Sequence, residues 1–166
     1  MDLILWRHAD AEIGEPDDAR QLTPKGIKQA NRMGAWLDKH LPNRCKVLVS
    51  PTSRTLLTAQ TLPRKFKTHP GLAPDATARD LLQAAGWPVG HEPVLLVGHQ
   101  PALGQLAALL IAGTEQSWTI RKGNVWWIAQ RAREGKTETF LRAISAPDLV
   151  PPVVIADSLK PLRNAH

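Results

Sequence analysis

The sequence predicts an α/β fold built on a parallel sheet, for three reasons. Three short apolar runs, at residues 3–6, 46–49 and 93–97, have the length of buried strands. A helical pattern follows each run, and this alternation of strands and helices is typical of parallel sheets. The chain has 166 residues, of which 43% are hydrophobic, and this suits one domain with a substantial core. We therefore expect a single domain over residues 1–166.

The first predicted strand, Leu3–Trp6, delivers Arg7 and His8 into a polar loop at residues 10–23. In open α/β sheets, ligands bind in the crevice outside the carboxyl ends of the strands, so this pair is well placed for chemistry. Taken alone, however, two such residues more simply mark the point where a strand leaves the core. The rest of the chain has to decide between these interpretations.

The first helix is predicted to begin at Pro24, since Thr23 is typical of an N-cap and proline is typical of the first helical position. Apolar residues then recur at helical spacing up to Leu41. The second strand, 46–49, leads into a Ser/Thr-rich turn and a helix predicted over 54–62. Ser50 and Ser53 are expected to cap this second helix, Arg54 falls in its first turn, and Thr55 or Thr58 would serve either the helix or a bound phosphate.

The later part of the chain contains three groups of predicted elements. They are a weak strand at 66–69 and a strong one at 93–97, helices at about 75–85 and 102–112, and a final group of strands at 119–120, 124–130 and 139–144. The strong strand is an uninterrupted apolar run, as in strands buried on both faces, and it ends in Gly98 and His99. From about residue 146 the chain is rich in proline and is expected to run extended over the surface.

Composition limits the classes of partner and the compartment. The formal net charge is +6, but the basic residues are scattered among acidic ones, so no nucleic-acid partner is expected. Cys45 is the only cysteine, which excludes an internal disulfide and a multi-cysteine zinc site. No apolar run reaches the ~18 residues of a membrane span, and a signal peptide is not recognisable. We expect a cytoplasmic protein that does not bind membranes.

Cationic and imidazole side chains follow all three apolar strands. Because the carboxyl ends of parallel strands face one side, Arg7, His8, Arg54 and His99 are expected to converge there. Guanidinium groups match phosphate oxygens bidentately and stay charged at any working pH. The sequence therefore predicts a pocket for a phosphoryl group.

Four segments, in order, resemble the successive signatures of the histidine phosphatase superfamily, and more narrowly its short SixA-type phosphohistidine phosphatase branch. They are Leu5–Asp10, Leu22–Gly26, Ser50–Ala59 and Val97–Pro101. The resemblance spans about residues 2–112. It implies the phosphoglycerate mutase-like fold, a three-layer α/β/α arrangement with a mostly parallel central sheet.

The same resemblance implies a role for each site residue. His8 would be the nucleophile, forming a covalent phosphohistidine that water then hydrolyses. Arg7 and Arg54 match the arginines that clamp the phosphate, and His99 matches the second catalytic histidine. Arg20 matches an arginine that faces the phosphate in the SixA branch. The resemblance implies no metal and no cofactor.

The chain departs from the family pattern at the general acid. Many members supply a Glu or Asp between the second and last motifs, but here Gly71 stands near that position. Asp75 is the nearest carboxylate, and we expect it to be the N-cap of the next helix. General acid help is typically worth 10²–10⁴-fold for a poor leaving group, whereas a phosphoramidate nitrogen needs less of it. An acid-poor pocket thus favours phosphohistidine as substrate.

Two alternatives remain open from the sequence. One is a phosphatase for a small phosphate ester or anhydride, with Asp75 as acid. The other is a phosphate-binding module without turnover, although such a module would not require His8. The expected partner is accordingly a phosphorylated protein or a small phosphorylated substrate.

Overall fold

The computed structural model describes residues 1–153, which form a six-stranded sheet with helices on both faces. The strands are β1 (Asp2–Arg7), β2 (Lys46–Val49), β3 (Lys67–Thr68), β4 (Val94–Gly98), β5 (Val125–Arg133) and β6 (Lys136–Ser145). The helices are α1 (Pro24–His40), α2 (Ser53–Ala59), α3 (Ala78–Ala85) and α4 (Ala102–Ala112). Short 3-10 turns occupy Asp17–Ala19, Pro70–Leu72 and Pro147–Leu149.

The sheet is mostly parallel, as predicted. Its strand order is β3-β2-β4-β1-β5-β6, and the first four strands in this order pair in parallel. Strand β5 runs antiparallel to β1, and β6 pairs antiparallel with β5. Arg7 lies opposite Gly98 in the register, and Val49 lies opposite Val97. The residues that follow β1, β2 and β4 therefore emerge at the same edge.

Two large apolar clusters pack the helices against the two faces of the sheet, which gives three layers. Alternate side chains of β1 point to opposite faces, as the pleat of a strand requires. Ile4 and Trp6 pack in the cluster that contains Met33 of α1, whereas Leu3 and Leu5 pack with residues of α3 and α4. The three-layer α/β/α prediction is confirmed. In the part of the chain that the structure describes, no helix is long and apolar enough to cross a membrane.

The third helix begins later than predicted, and Asp75 does not cap it. Thr77 is the N-cap, because its hydroxyl accepts from the Asp80 amide at 3.1 Å and the Asp80 carboxylate accepts from the Thr77 amide at 2.9 Å. This reciprocal pairing satisfies two amides at the start of the helix. Asp75 lies exposed in the preceding turn.

Residues 119–120 do not form the predicted strand. Carbonyl groups in and next to this segment accept from side chains: Gln100 donates to the carbonyl of Trp118, just before it, at 2.8 Å, and Arg7 donates to the carbonyl of Ile120 at 3.0 Å. The weak strand predicted at 66–69 contracts to Lys67–Thr68.

The predicted capping of α2 is also wrong. The helix starts at Ser53 and ends at Ala59, its N-cap is Thr52 without a side-chain capping bond, and Ser50 is engaged elsewhere. The predicted extended tail begins with the 3-10 turn at Pro147–Leu149, in which Pro147 is buried. The remainder of that prediction, from 154 onward, lies outside the described residues.

Candidate active site

His8 and His99 lie side by side at the carboxyl edge of the central strands. Each follows directly on its strand, and the His8 amide donates to the Gly98 carbonyl at 3.1 Å, which continues the β1–β4 ladder by one bond. Both side chains are buried, with 6% of their surface exposed. Their ring centroids are 5.3 Å apart, with the rings tilted by 55°. The parallel register thus brings the two imidazoles into contact.

The protonation of His8 follows from its partner. Its Nδ1 lies 2.7 Å from the Ala9 carbonyl oxygen, and since a carbonyl only accepts, Nδ1 carries the hydrogen. Burial lowers the pKa of His8 from 6.5 to about 4, against the opposing effect of this hydrogen bond. The nearby positive charges of Arg54, Arg7 and Arg20 contribute to this lowered pKa. His8 is therefore neutral at pH 7, with the lone pair on Nε2.

His99 is held by a residue for which we expected a capping role. Its Nε2 lies 2.8 Å from the Ser50 hydroxyl, which is fully buried. Burial, together with the proximity of His8 and the charge of Arg54, lowers the pKa of His99 to about 3. Two neutral imidazoles therefore face the same cationic surroundings.

Arg7 and Arg54 are both held through the terminal nitrogens of their guanidinium groups. Arg7 donates through Nη1 to the Ile120 carbonyl at 3.0 Å. Arg54, 3% exposed, donates through Nη1 to the Asp17 carbonyl at 2.9 Å and through Nη2 to the Asp17 carboxylate at 3.1 Å. Among the described residues, the Nε–H groups of these two arginines are the only buried side-chain polar groups that lack a partner. Unpaired buried donors are costly, so these two N–H groups call for an acceptor that the described residues do not provide.

Arg20 is joined to this group through Asp17. Its Nε donates to the second carboxylate oxygen of Asp17 at 3.1 Å, and its Nη1 donates to the Glu12 carbonyl at 3.2 Å. One carboxylate thus links the loop arginine to the helix arginine. Burial raises the pKa of Asp17, but the charges and hydrogen bonds of Arg54 and Arg20 outweigh this and hold it below its usual value.

Buried hydroxyl groups fix the start of α2. The Thr58 hydroxyl donates to the Arg54 carbonyl at 2.7 Å and accepts from the Ala9 amide at 3.0 Å. The Thr55 hydroxyl donates to the Ser50 carbonyl at 2.7 Å. These bonds fix the position of Arg54 relative to the loop after β1, which accounts for the dense Ser/Thr content of this motif.

Sequence reasoning missed two residues of the site, Asp17 and Ser50. The spacing of Asp17 and Arg20, three residues apart in a polar loop, was the available signal for the first. Ser50 carried no local signal, since its partner His99 lies 49 positions away. Asp75, the acid candidate, makes no hydrogen bond or ion pair within residues 1–153. In the same residues no cluster of three or more His, Cys, Asp or Glu side chains could hold a metal ion.

The arrangement is suited to binding a tetrahedral oxyanion beside a neutral nucleophile. Three guanidinium groups act on His8 through their charge, and buried donors of two of them are vacant. A family model described as the histidine phosphatase superfamily, branch 1, matches residues 3–86. The chain belongs to the histidine phosphatase superfamily. Phosphatase activity is the chemistry that this membership supports.

Relatives within the histidine phosphatase superfamily include two from bacteria. The chain is 33% identical over 127 residues to a phosphohistidine phosphatase SixA homolog of Haemophilus influenzae, an alignment that covers 66% of this chain and 77% of the relative. It is 30% identical over 122 residues to the phosphohistidine phosphatase SixA of Escherichia coli, with 68% and 76% covered. These matches confirm the SixA-type resemblance.

The fold is shared with solved structures of the same kind. The protein histidine phosphatase SixA complexed with tungstate superposes with a TM-score of 0.70 at 24% identity, and the alignment covers 89% of this chain and 98% of that chain. At this identity the likeness concerns the fold, and it confirms the phosphoglycerate mutase-like architecture that the sequence predicted.

Proposed function

We propose that this protein is a phosphohistidine phosphatase that works through a covalent phosphohistidine on His8. The observation that carries the proposal is the pair of vacant buried Nε–H donors, on Arg7 and Arg54, in the surroundings of a neutral His8. Arg7, Arg54 and Arg20 would hold the phosphoryl oxygens. His8 would attack, and His99 would complete the catalytic set.

The first step follows from the His8 tautomer. The Nε2 lone pair attacks phosphorus, forming a new P–N bond, while the substrate P–N bond breaks and its electron pair goes to the leaving imidazole. A substrate imidazole protonated at its other nitrogen leaves neutral and takes no proton from the enzyme. Cations around the three equatorial oxygens stabilise the transition state.

The second step returns the enzyme to its starting state. Phosphorylated His8 keeps its Nδ1 hydrogen, bonded to the Ala9 carbonyl, and is therefore an imidazolium. Water attacks phosphorus, the P–Nε2 bond breaks, and its electron pair returns to the ring as neutral imidazole. Both protons of the attacking water stay with the product, which leaves as dihydrogen phosphate. The hydrogen bond from His8 Nδ1 to the Ala9 carbonyl thus serves both steps, the attack of Nε2 on the substrate and the departure of Nε2 from phosphorus.

Carboxyl groups of the described residues support phosphohistidine rather than an ester as substrate. A general acid for an alkoxide must hold a proton near neutral pH, which requires a raised pKa. Where the pKa of a carboxyl group in the described chain differs clearly from its ordinary value, it is lowered. These groups are Asp2, Asp10, Asp17 and Asp80. The two bacterial relatives are themselves named phosphohistidine phosphatases.

The test uses a protein phosphorylated on histidine. We expect release of inorganic phosphate by the wild type and no turnover by His8→Ala. Full activity of His8→Ala would contradict the mechanism. Faster turnover of a small phosphate ester, lost in Asp75→Ala, would favour the ester phosphatase, and binding of the phosphoprotein without any phosphate release would favour the binding module.

A further inference from the structure

A basic groove of about 1010 Å³ opens beside the candidate site. It lies between α1, the loop before β5 and the 3-10 turn at Pro147–Leu149. Its lining includes six cationic side chains and only two carboxylates, Asp10 and Asp148. The cationic residues are Arg7, Lys25, Lys28, Arg32, Arg121 and Lys122.

This groove could not be predicted from the sequence, because its cationic residues come from segments that are distant along the chain. Lys25, Lys28 and Arg32 recur at helical spacing, so they lie on one face of α1. Arg121 belongs to the loop on the other side. Scattered charges thus become a patch only after folding.

Most of these charges have no acidic partner in the described chain. Lys122 pairs with Asp10 at 2.9 Å. None of the ion pairs among residues 1–153 includes Lys25, Lys28, Arg32 or Arg121. A concave surface lined by one sign of charge attracts a ligand of the opposite sign.

Arg7 connects the groove to the chemistry, since it lines the groove and its vacant Nε–H belongs to the proposed phosphate site. A phosphoryl group at His8 would therefore have the rest of its carrier next to the groove. We propose that the groove binds an acidic segment of the protein that carries the phosphohistidine, an inference that rests on the proposed function.

The lining favours a protein over a nucleic acid. Single-stranded nucleic acids stack their bases on aromatic side chains, and no aromatic residue lines the groove. Asp148 and the Lys122-paired Asp10 would repel an uninterrupted run of phosphates more than a protein segment, in which neutral or basic side chains are interspersed among the carboxylates. Residues 154–166 of this chain carry one acidic residue, Asp157, against Lys160 and Arg163, so their charge does not complement the groove.

The test compares two doubly charge-reversed variants. Lys28→Glu/Arg121→Glu alters the groove, whereas Lys65→Glu/Arg79→Glu makes the same change in net charge at exposed positions outside its lining. The substrates are a phosphohistidine peptide with a Glu-rich flank, the same peptide with Gln in place of Glu, and p-nitrophenyl phosphate.

We expect kcat/KM for the Glu-rich peptide to fall about tenfold in the groove variant and to stay within about twofold in the control. Turnover of the Gln peptide and of p-nitrophenyl phosphate should change little in either variant. An equal loss in both variants, or no preference of the wild type for the Glu flank, would overturn the proposal.

Binding of the unphosphorylated Glu-rich peptide, followed by fluorescence anisotropy, separates the two proposals because it requires no turnover. Groove-dependent binding without hydrolysis of either phosphopeptide would refute the proposed function but would still support the basic groove as a binding site for an acidic segment. Hydrolysis without groove-dependent binding would do the reverse. Tighter binding of a single-stranded RNA of equal charge would overturn the choice of a protein partner.

Discussion

Arg54, Arg7 and His8 are each held by a hydrogen bond at one part of the side chain, while another polar atom of the same side chain has no partner among the described residues. Arg54 is anchored at its Nη1 and Nη2 ends by Asp17, and Arg7 is anchored at Nη1 by the Ile120 carbonyl, while both Nε–H groups stay vacant. His8 is anchored at Nδ1, which leaves Nε2 free. Such anchoring removes the need to reorganise the donors during the reaction.

Asp17 gives the first prediction at this scale, because it holds Arg54 and Arg20 with one carboxylate. Asp17→Ala should weaken inhibition by tungstate about tenfold, since losing a charge-assisted hydrogen bond typically costs ~1.5–3 kcal/mol. Asp17→Asn, which keeps an acceptor oxygen, should recover part of the loss. Inhibition constants from steady-state rates provide the measurement.

Asp18→Ala is the matched control for Asp17. Asp18 is the next residue of the same 3-10 turn, is exposed, and makes no hydrogen bond or ion pair in the described chain. Its removal should leave tungstate inhibition unchanged. Tighter inhibition in Asp17→Ala would instead mean that the Asp17 carboxylate competes with the anion, contrary to its role as a positioning residue.

The motif at the start of α1 has a packing reason at the scale of the element. Thr23 caps the helix, accepting from the Gly26 amide at 2.9 Å, and donates to the Asp10 carboxylate at 2.8 Å. A Cβ on Gly26 would overlap the backbone carbonyl of Asp10. The helix therefore approaches the loop after His8 more closely than any other residue at this position allows.

Gly26→Ala should accordingly destabilise the fold by ~1–3 kcal/mol, as overpacking typically does. Urea unfolding measures the change in the free energy of unfolding. Gly14→Ala is the control, because nothing lies within 4 Å of a Cβ at that glycine. A stability change in Gly26→Ala no larger than that in Gly14→Ala would show that this contact does not fix the helix.

The central strands were predictable from the sequence because apolar runs and helix-start signals are local, whereas the strand predicted at 119–120 does not form. The meeting of His8 with His99 then follows from the shared edge of parallel strands, without further information. Side-chain pairings across the fold were not predictable in this way. Ser50 forms a hydrogen bond with His99 instead of capping α2. Thr77, and not Asp75, caps α3, because the Asp80 side chain accepts from the Thr77 amide in return.

The whole molecule should become less stable as acid protonates its unfolded chain. His8 and His99 have pKa values of about 4 and about 3 in the folded protein, against 6.5 ordinarily. Below pH 6.5 the unfolded state therefore binds protons that the folded state does not. Each histidine should cost about 2 kcal/mol of unfolding free energy between pH 7 and pH 5.

Urea unfolding at several pH values checks this prediction. His99→Gln should lose about half as much stability as the wild type over the same interval, since it lacks one of the two groups. His91→Gln changes an exposed histidine and should follow the wild type. A His99→Gln profile as steep as that of the wild type would contradict the depressed pKa of His99.

The most direct test of the account is to trap and map the phosphorylated enzyme. The wild type is mixed with a phosphohistidine peptide, quenched in alkali on the millisecond scale, digested and sequenced by mass spectrometry. We predict an acid-labile phosphoryl group on His8, formed at least as fast as turnover and absent from His8→Ala. Turnover without any phosphorylated enzyme, or with the phosphoryl group on His99, would contradict the role of His8.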